Sequence, residues 1–463
     1  MFRLLLVASI LLPGIVLALR DRFMALLLYL WFAFFRPQDW IWFDISSLRL
    51  SLVLGIVLIV PSLATGIWPN LNHPLSIGMV IFLALGLVSQ VGAVDQVIGW
   101  YWVDFFARLV VVCLLAVSLI TTPKRLIRVM AVVAGSLGFF AAKAGLLSAI
   151  VGGVRFAEGL TGAFTDNNGY ALGTVMIMPM LVAVGRNADL LFDGYWSWLN
   201  AWARRGFLLA VPLCGLTVIS TFSRGGFLAM VAATATYVAL DRRRVGLSLG
   251  LAVMLIIGVS VAPIPEGYLE RLETIRTYQE VDETSAISRP YFWSVAVDMA
   301  EANPFGVGLR NFEAAYDTYD RSDGLYGSRR AVHSSHFQVL AELGFIGAFI
   351  WTVLFLLAFW LAVRARKLAK RPGLAPESET FLSTVPNCLI ASMAGFLVGG
   401  SFLSAALNDL TWVTFALVAA LDRLAPSLAT GPSQAAAPTA AVLRSARTWR
   451  PHAAASGRAR GPH

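Results

Sequence analysis

Two histidines, His333 and His336, stand three positions apart in the run Ala331–Gly347, where a polar stretch meets a long apolar segment. Imidazole is the usual side chain for taking a proton from a hydroxyl group near neutral pH. A lone histidine is more often structural, but here two of the chain's five histidines enter one apolar segment. Two histidines can also hold a metal ion, yet no third ligand stands near them. The sequence therefore predicts proton transfer, with no metal ion and no cofactor.

A second candidate is Arg224, in the tight turn Ser223–Gly226 between two apolar segments. An arginine at the rim of a membrane is costly unless its side chain reaches the headgroups or an anionic partner. A turn residue that merely reaches the headgroups is one interpretation. The other is a phosphate site, because a guanidinium grips phosphate with two parallel hydrogen bonds and the two glycines let a ligand approach closely.

A third candidate, Arg289, directly precedes Pro290. Proline favours the first turn of a helix and Ser288 is a suitable cap, so the pattern predicts an amphipathic surface helix that begins here. One face of this helix would carry Trp293, Val297 and Ala300. A helix N-terminus with an arginine forms an anion site. The alternative is a structural surface helix whose arginine has no ligand.

Further polar residues are candidates for substrate contact: Asp166, Asn167, Asn168, Lys143 and His336. The run that begins at Asp166 opens an apolar segment and would cap its helix, which by itself accounts for its composition. Lys143 lies deep in an apolar segment and needs a carboxylate, carbonyl or phosphate partner there. Asp39 and Asp44 are alternative acids or bases, although their aromatic, proline-containing loop is more typical of a membrane interface.

The composition indicates which elements must position these residues. Of 463 residues, 58% are hydrophobic and only 14% are charged, which excludes a soluble globular protein of this size. The predicted fold class is all-α, a polytopic membrane protein. The net charge of +9 does not indicate a nucleic-acid partner, because the cations cluster in short runs between apolar segments. The three cysteines lie in apolar stretches and indicate neither a disulfide nor a zinc site.

Thirteen apolar segments approach the length of about 20 residues that a membrane span needs. They are Leu4–Leu19, Phe23–Phe35, Leu48–Leu63, Leu75–Gln90, Phe105–Ile120, Ile127–Ile150, Gly169–Gly185, Gly206–Phe222, Phe227–Leu240, Val245–Val261, Phe337–Val363, Val385–Leu407 and Leu410–Leu424. The second can pair with the first as a shallow hairpin, so twelve spans are equally consistent with the sequence.

The cations predict the orientation, because short loops rich in lysine and arginine stay in the cytoplasm. If the segments alternate, 22 of the 36 such residues fall on one side. The other, periplasmic side receives Pro263–Val332, with seven arginines, twelve carboxylates and no lysine. The predicted regions are an N-terminal transmembrane bundle (1–262), an extracytoplasmic loop (263–336), C-terminal transmembrane helices (337–424) and a disordered, basic cytoplasmic tail (425–463).

Nine short motifs, taken in order, resemble the O-antigen ligase-like membrane proteins, and more closely the O-glycosylation ligases associated with exosortase systems. They are Leu19–Asp39, Thr122–Arg125, Gly138–Lys143, Phe164–Asn168, Ser223–Gly225, Arg271–Tyr278, Ser285–Arg289, Asn303–Gly308 and His333–Gly344. The resemblance covers roughly residues 1–360. It implies transfer of a glycan from a lipid diphosphate to an acceptor hydroxyl outside the cytoplasmic membrane.

By its motifs, the resemblance implies that Arg224 and Arg289 hold the donor diphosphate and that His333 is the essential histidine. His336 stands where the relatives have an aromatic residue, so no role is carried over to it. Gly226 and Gln338 also differ from the family pattern, which has an alanine and an acidic residue at these positions. These differences leave the identity of the acceptor open, and they affect the predicted transfer reaction less.

The predicted partners are a polyprenyl-diphosphate-linked glycan, an acceptor lipid or protein, and membrane lipids. The predicted location is the bacterial cytoplasmic membrane, with the site facing the periplasm. Two alternatives remain open. A glycan polymerase of the same superfamily would differ only in its acceptor. A transporter or flippase for anionic lipid-linked glycans would carry polar residues along a path at the membrane midplane, whereas here they gather at the outer rim, apart from Lys143.

Overall fold

The computed structural model describes residues 2–41, 48–151, 166–241 and 284–430, and in these ranges the protein contains helices and no β-strand. The α-helices are α1 (Phe2–Arg20), α2 (Arg22–Phe35), α3 (Pro37–Trp40), α4 (Leu50–Ala64), α5 (Pro74–Ser89), α6 (Gln96–Leu119), α7 (Pro123–Val151), α8 (Asn167–Arg186), α9 (Leu199–Ser220), α10 (Arg224–Leu240), α11 (Thr284–Ala302), α12 (Phe312–Tyr319), α13 (Ser335–Leu368), α14 (Pro376–Gly399) and α15 (Asp409–Ala429). A 3₁₀ turn, Gly400–Phe402, follows α14.

Nine of the described helices are long and apolar enough to cross a membrane, and α4 and α10 are apolar but shorter. This confirms the prediction of an all-helical, polytopic membrane protein. Twelve of the thirteen predicted apolar segments lie on described helices, and the remaining one, Val245–Val261, lies outside the described residues. The boundaries of the predicted regions stay a prediction, and residues 431–463 of the predicted tail also lie outside the described part.

Small residues bring the helices that carry the candidate site into close contact, as is common in membrane bundles. α10 packs against both α8 and α14. A Cβ atom added at Gly399 of α14 would lie 3.0 Å from Cβ of Ala229 in α10 and 2.7 Å from a methyl group of Leu172 in α8. The start of α10 is therefore held firmly between two spans.

Residues near helix ends that are predicted on the same side of the membrane contact one another. At one end of the bundle, Arg364 binds the Asp422 carboxylate with bonds of 2.6 and 2.7 Å, and Arg366 donates to the carbonyl of Leu240 at 2.8 Å. At the other end, the backbone N–H of Asp95 donates to Oδ1 of Asn311 at 2.5 Å. The contacts show which of the described helix ends lie together, and the alternation of the spans across a membrane stays a prediction. We call the end that carries Asp95 and Asn311 the insertion end.

The long helix α13, predicted as one continuous span, is interrupted at Gly344, which has φ 67° and ψ −172°. The segment Asn303–Gly308 crosses the helix at this point, and the N–H of Gly308 donates to the carbonyl of Glu342 at 3.3 Å. A Cβ atom at Gly344 would overlap the carbonyl oxygen of Pro304. The crossing segment thus supplies a partner for a carbonyl near the break, and the break isolates a short first part of α13, Ser335–Leu343.

Candidate functional site

The turn between α9 and α10 makes Arg224 the first residue of α10. Ser223 caps this helix, because its Oγ accepts a hydrogen bond from the N–H of Gly226 at 3.0 Å. The same hydroxyl donates to Oδ1 of Asn168 at 2.7 Å. A Cβ atom at Gly226 would overlap Cβ of Ala171 in α8. The glycine at this position therefore permits the close approach of α10 to α8.

The start of α8 is bound to the same turn. Oδ1 of Asp166 accepts hydrogen bonds from the N–H groups of Asn168 at 2.9 Å and Gly169 at 3.0 Å, so Asp166 caps α8 as predicted. The side-chain amide of Asn167 donates to the carbonyl of Thr221 at 2.9 Å. The cap of α8 consequently also holds the loop that presents Arg224.

Arg289 approaches this turn from α11, with Phe402 between them. The guanidinium carbon of Arg289 lies 5.7 Å from the centroid of the Phe402 ring. A Cβ atom at Gly225 would lie 3.0 Å from Cβ of Phe402, so the backbone at the start of α10 contacts the same side chain. Arg224 and Arg289 are both half-buried. Phe402 therefore joins the two elements that carry the candidate arginines.

The helix that carries Arg289 differs from the predicted one at its start. The sequence predicted that the helix begins at Pro290 with Ser288 as its cap, but α11 is already helical from Thr284, and Pro290 lies inside it. A proline inside a helix removes one backbone hydrogen bond without ending the helix here. Arg289 is therefore not in the first turn, and the predicted anion site at a helix N-terminus is not formed at this arginine.

The buried face of α11 also differs from the predicted face. It packs with α12 and the start of α13 in a small core that includes Phe292, Val295, Ala296 and Met299. Trp293 is half-buried and its ring stacks on that of Phe337, with the centroids 5.1 Å apart. Of the predicted face, Ala300 is buried and Trp293 packs against this core, whereas Val297 is only half-buried and the centre of the buried face is Phe292, Val295, Ala296 and Met299.

His333 lies just before α13, in left-handed backbone with φ 50°, a conformation that is uncommon for residues other than glycine. Its ring centroid is 6.3 Å from that of Phe292. Burial lowers the pKa of His333, the positive charges of Arg289 and Arg330 lower it further, and Asp166 opposes them. His333 therefore lies within electrostatic range of Arg289 and of the α8 cap, and its neutral form is favoured.

His336, in the first turn of α13, is held at both ring nitrogens. The indole N–H of Trp351 donates to Nδ1 at 3.1 Å, and Nε2 lies 3.1 Å from the carbonyl oxygen of Leu397. Since an indole N–H only donates and a carbonyl oxygen only accepts, Nδ1 carries no proton and Nε2 carries one. The ring is a neutral structural link between the two parts of α13 and α14.

The segment that carries these residues resembles a known family. Residues 207–352 match the family model described as O-antigen ligase, and they include Arg224, Arg289 and His333. The match supports a relationship of this part of the chain to the O-antigen ligase-like superfamily. The superfamily contains membrane glycan ligases and polymerases that act on lipid-linked glycans and their acceptors. No curated protein matches the chain significantly.

Gln338, in the O-antigen ligase segment, has a partner that accounts for the amide at this position. Its Nε2 lies 3.2 Å from each carboxylate oxygen of Glu342, and its Oε1 accepts from the N–H of Ala406 at 3.1 Å. The amide can donate and accept at once, whereas a carboxylate would repel Glu342. Gln338 therefore binds α13 to the loop that follows Phe402.

Other predicted candidates lie apart from this cluster. Lys143 is exposed on α7. Ala141 and Gly145, two positions before and after it, contact α9. Two positions correspond to about 200° around a helix, so Lys143 lies on nearly the opposite face. Among the described residues, Lys143 has no hydrogen bond or ion pair, so the partner predicted for it is not found there. Asp39 pairs with its neighbour in the loop, Arg36, and Asp44 lies outside the described residues.

Two residues beside the cluster were not predicted from the sequence. Phe402 lies inside the apolar run predicted as the span Val385–Leu407, where one more phenylalanine gives no signal. The helix ends before it, at Gly399. Arg330 did give a signal, since it is a cation three residues before His333. In the described ranges, no group of three or more His, Cys, Asp or Glu side chains is arranged to hold a metal ion.

Proposed function

We propose that this protein transfers a glycan from a polyprenyl-diphosphate donor to a hydroxyl group of an acceptor lipid or protein. The observation that carries the proposal is the meeting of three elements at the insertion end. Phe402 contacts both the start of α10, which carries Arg224, and the guanidinium of Arg289. His333 lies within range of the charge of Arg289. Two arginines on elements joined by Phe402, one of them within range of a neutral histidine, suit a reaction with an anionic leaving group and a hydroxyl nucleophile.

The arginines act on the leaving group. As the bond between sugar and phosphate breaks, the diphosphate gains negative charge, so fixed cations stabilise the transition state more than the ground state. A guanidinium also binds phosphate oxygens in pairs, which orients the donor. Removal of one such donor group costs on the order of 3–4 kcal/mol in comparable sites.

His333 acts on the nucleophile. The acceptor hydroxyl gives its proton to the neutral imidazole while its oxygen forms a bond to the anomeric carbon. The bond from that carbon to the diphosphate oxygen breaks, and the electron pair leaves with the polyprenyl diphosphate. Asp166, which opposes the lowering of the pKa of His333, stabilises the imidazolium that forms.

We further propose that the insertion end faces the periplasm, because the cationic loops gather at the opposite end and such loops stay in the cytoplasm. Topology reporters fused after Gly324 and after Arg371 should report opposite compartments. A common compartment for both would contradict the orientation and the location of the site.

Loss of the gene tests the function itself. For a ligase, unused lipid-linked glycan accumulates on the outer leaflet and the acceptor lacks its glycan. A polymerase would instead leave short glycans attached to the acceptor, and a transporter would leave the donor on the inner leaflet. Genes for an exosortase beside this one would support the narrower assignment to the O-glycosylation ligases of such systems, which we also propose.

A further inference from the structure

Arg330 shares an aromatic neighbour with the candidate base. Its guanidinium carbon lies 5.9 Å from the centroid of the Phe292 ring, and the imidazole of His333 lies 6.3 Å from the same ring, centroid to centroid. The side chain of Arg330 is exposed. Among the described residues it forms no hydrogen bond and no ion pair. Arg330 is therefore a cation beside the site with capacity to bind an anion.

Neighbouring arginines of the same loop are arranged differently. Arg321 forms an ion pair with Asp298 at 2.7 Å. Arg329 lines an open cavity of about 460 Å³ together with Asp95 and Asp317, and its backbone N–H donates to Asp317 at 2.9 Å. Neither is among the charges that act on His333, whereas Arg330 is. Of these three arginines, Arg330 is therefore the one whose charge acts on His333.

The charges that face His333 come from three elements. Arg289 lies on α11, Arg330 lies on the loop before α13, and Asp166 lies at the start of α8. Two positive charges therefore stand against one negative charge when no substrate is bound. A diphosphate diester carries two negative charges, so its binding would reverse this balance.

We propose that Arg330 is a third arginine of the site, which holds His333 in its neutral form until the donor binds and then takes part in binding the donor's diphosphate. The proposal rests on the function proposed above. The diphosphate of the arriving donor offsets the positive charges of the arginines. Because these charges are offset, the affinity of His333 for a proton rises at the stage when the acceptor hydroxyl must lose one. The base is consequently strengthened only when there is a donor to react.

The test uses the full-length protein in lipid nanodiscs and requires no acceptor. Diethyl pyrocarbonate modifies neutral imidazole, and fragment-ion mass spectrometry distinguishes His333 from His336. We expect the pH midpoint of His333 modification to move to higher pH in Arg330→Gln, because one facing positive charge is lost. Arg330→Lys keeps the charge and should keep the wild-type midpoint. Arg329→Gln, a neighbouring change of the same charge, should also leave the midpoint in place.

Addition of undecaprenyl diphosphate, the leaving group of the proposed reaction, should raise the midpoint of His333 in the wild type. The rise should be smaller in Arg330→Gln. An unchanged midpoint in Arg330→Gln, or a shift of equal size in Arg329→Gln, would overturn the role of Arg330.

These outcomes are separable from a failure of the proposed function. If His333→Ala abolishes glycan transfer in cells while Arg330→Gln leaves the midpoint unmoved, only the role of Arg330 is wrong. If His333→Ala retains transfer, the proposed function of the site is wrong, whatever the modification experiment shows.

Discussion

The segment just before α13 and the first turn of α13 each contain a histidine, and the two rings have opposite surroundings. His336 has both nitrogens engaged, one by Trp351 and one by the carbonyl of Leu397. His333 sits in left-handed backbone, and its described neighbours act on it through charge, with Arg289 and Arg330 favouring the neutral ring. Residue type is the same at both positions, so the partners decide the role. A ring whose two nitrogens are both engaged cannot readily accept a proton. The ring of His333 has no hydrogen bond among the described residues, so it can accept one once a bound anion offsets the neighbouring cations.

The largest effect is expected for His333→Ala. Loss of a general base costs about 10²- to 10⁴-fold in rate, so glycan attachment to the acceptor should fall by that factor. Protein level should stay near that of the wild type, because no hydrogen bond of this ring is found among the described residues. Immunoblots of membranes and the amount of glycosylated acceptor measure both quantities. Substantial attachment would move the base to another residue, such as Asp39, Asp44 or one of the carboxylates after Phe312.

Arg224→Lys and Arg289→Lys should each lose most activity although the charge is kept. A lysine ammonium is a point charge and cannot bind a phosphate group with two parallel hydrogen bonds. We expect a loss on the order of 10²-fold, near the lower end of the cost of removing one oxyanion donor. Arg321→Lys, in an exposed ion pair with Asp298, is the matched control and should remain active. Near-normal product from either site variant would assign that arginine a structural role.

His336→Ala should affect stability rather than chemistry. It leaves the indole N–H of Trp351 and the carbonyl of Leu397 without their partner, which costs about 1–3 kcal/mol for each buried group left unsatisfied. The thermal unfolding midpoint in detergent should fall, while the rate per folded molecule stays close to that of the wild type. A stable but inactive variant would show that the comparison between the histidines is mistaken.

The smallest effect concerns pH. Because the pKa of His333 is lowered from its ordinary value of 6.5, more than half of these rings should be neutral at pH 6.5. The reaction needs the neutral form, so transfer should decline only as the pH falls through the lowered pKa. Initial rates between pH 5 and 8, at donor concentrations well below saturation, report the enzyme without bound donor and measure the acid limb. If the acid limb of the rate had its midpoint above pH 6.5, His333 in this environment would not be the base.

Much of the fold and of the candidate site could be predicted from the sequence, because it depends on residues that are close together in the chain. Apolar length identified the spans, and the polar cap Asp166 identified the start of α8. This cap acts within three residues, so its partners are implied by its own neighbours in the chain. Arg224, Arg289 and His333 were selected in the same way, as polar residues at the ends of apolar segments.

Long-range contacts could not be predicted in this way. The break at Gly344 depends on the segment Asn303–Gly308, which lies far away in the sequence and fills the space that a side chain would need. The two bonds of His336 go to residues 15 and 61 positions away. The position of Phe402 depends on where α14 ends within an apolar run. Each case depends on packing between helices, and the spacing of apolar residues along the sequence carries no information about that packing.

The most direct test of the account compares bound donor with transferred glycan in the same membranes. Lipid-diphosphate-linked glycan that copurifies with the protein is quantified for His333→Ala, His336→Ala and Arg289→Lys, together with the glycosylated acceptor. The account predicts that His333→Ala retains donor and makes almost no product, that His336→Ala retains both, and that Arg289→Lys loses donor and product together. Product from His333→Ala at the wild-type rate, or its loss from a well-folded His336→Ala, would contradict the assignment of His333 as the base.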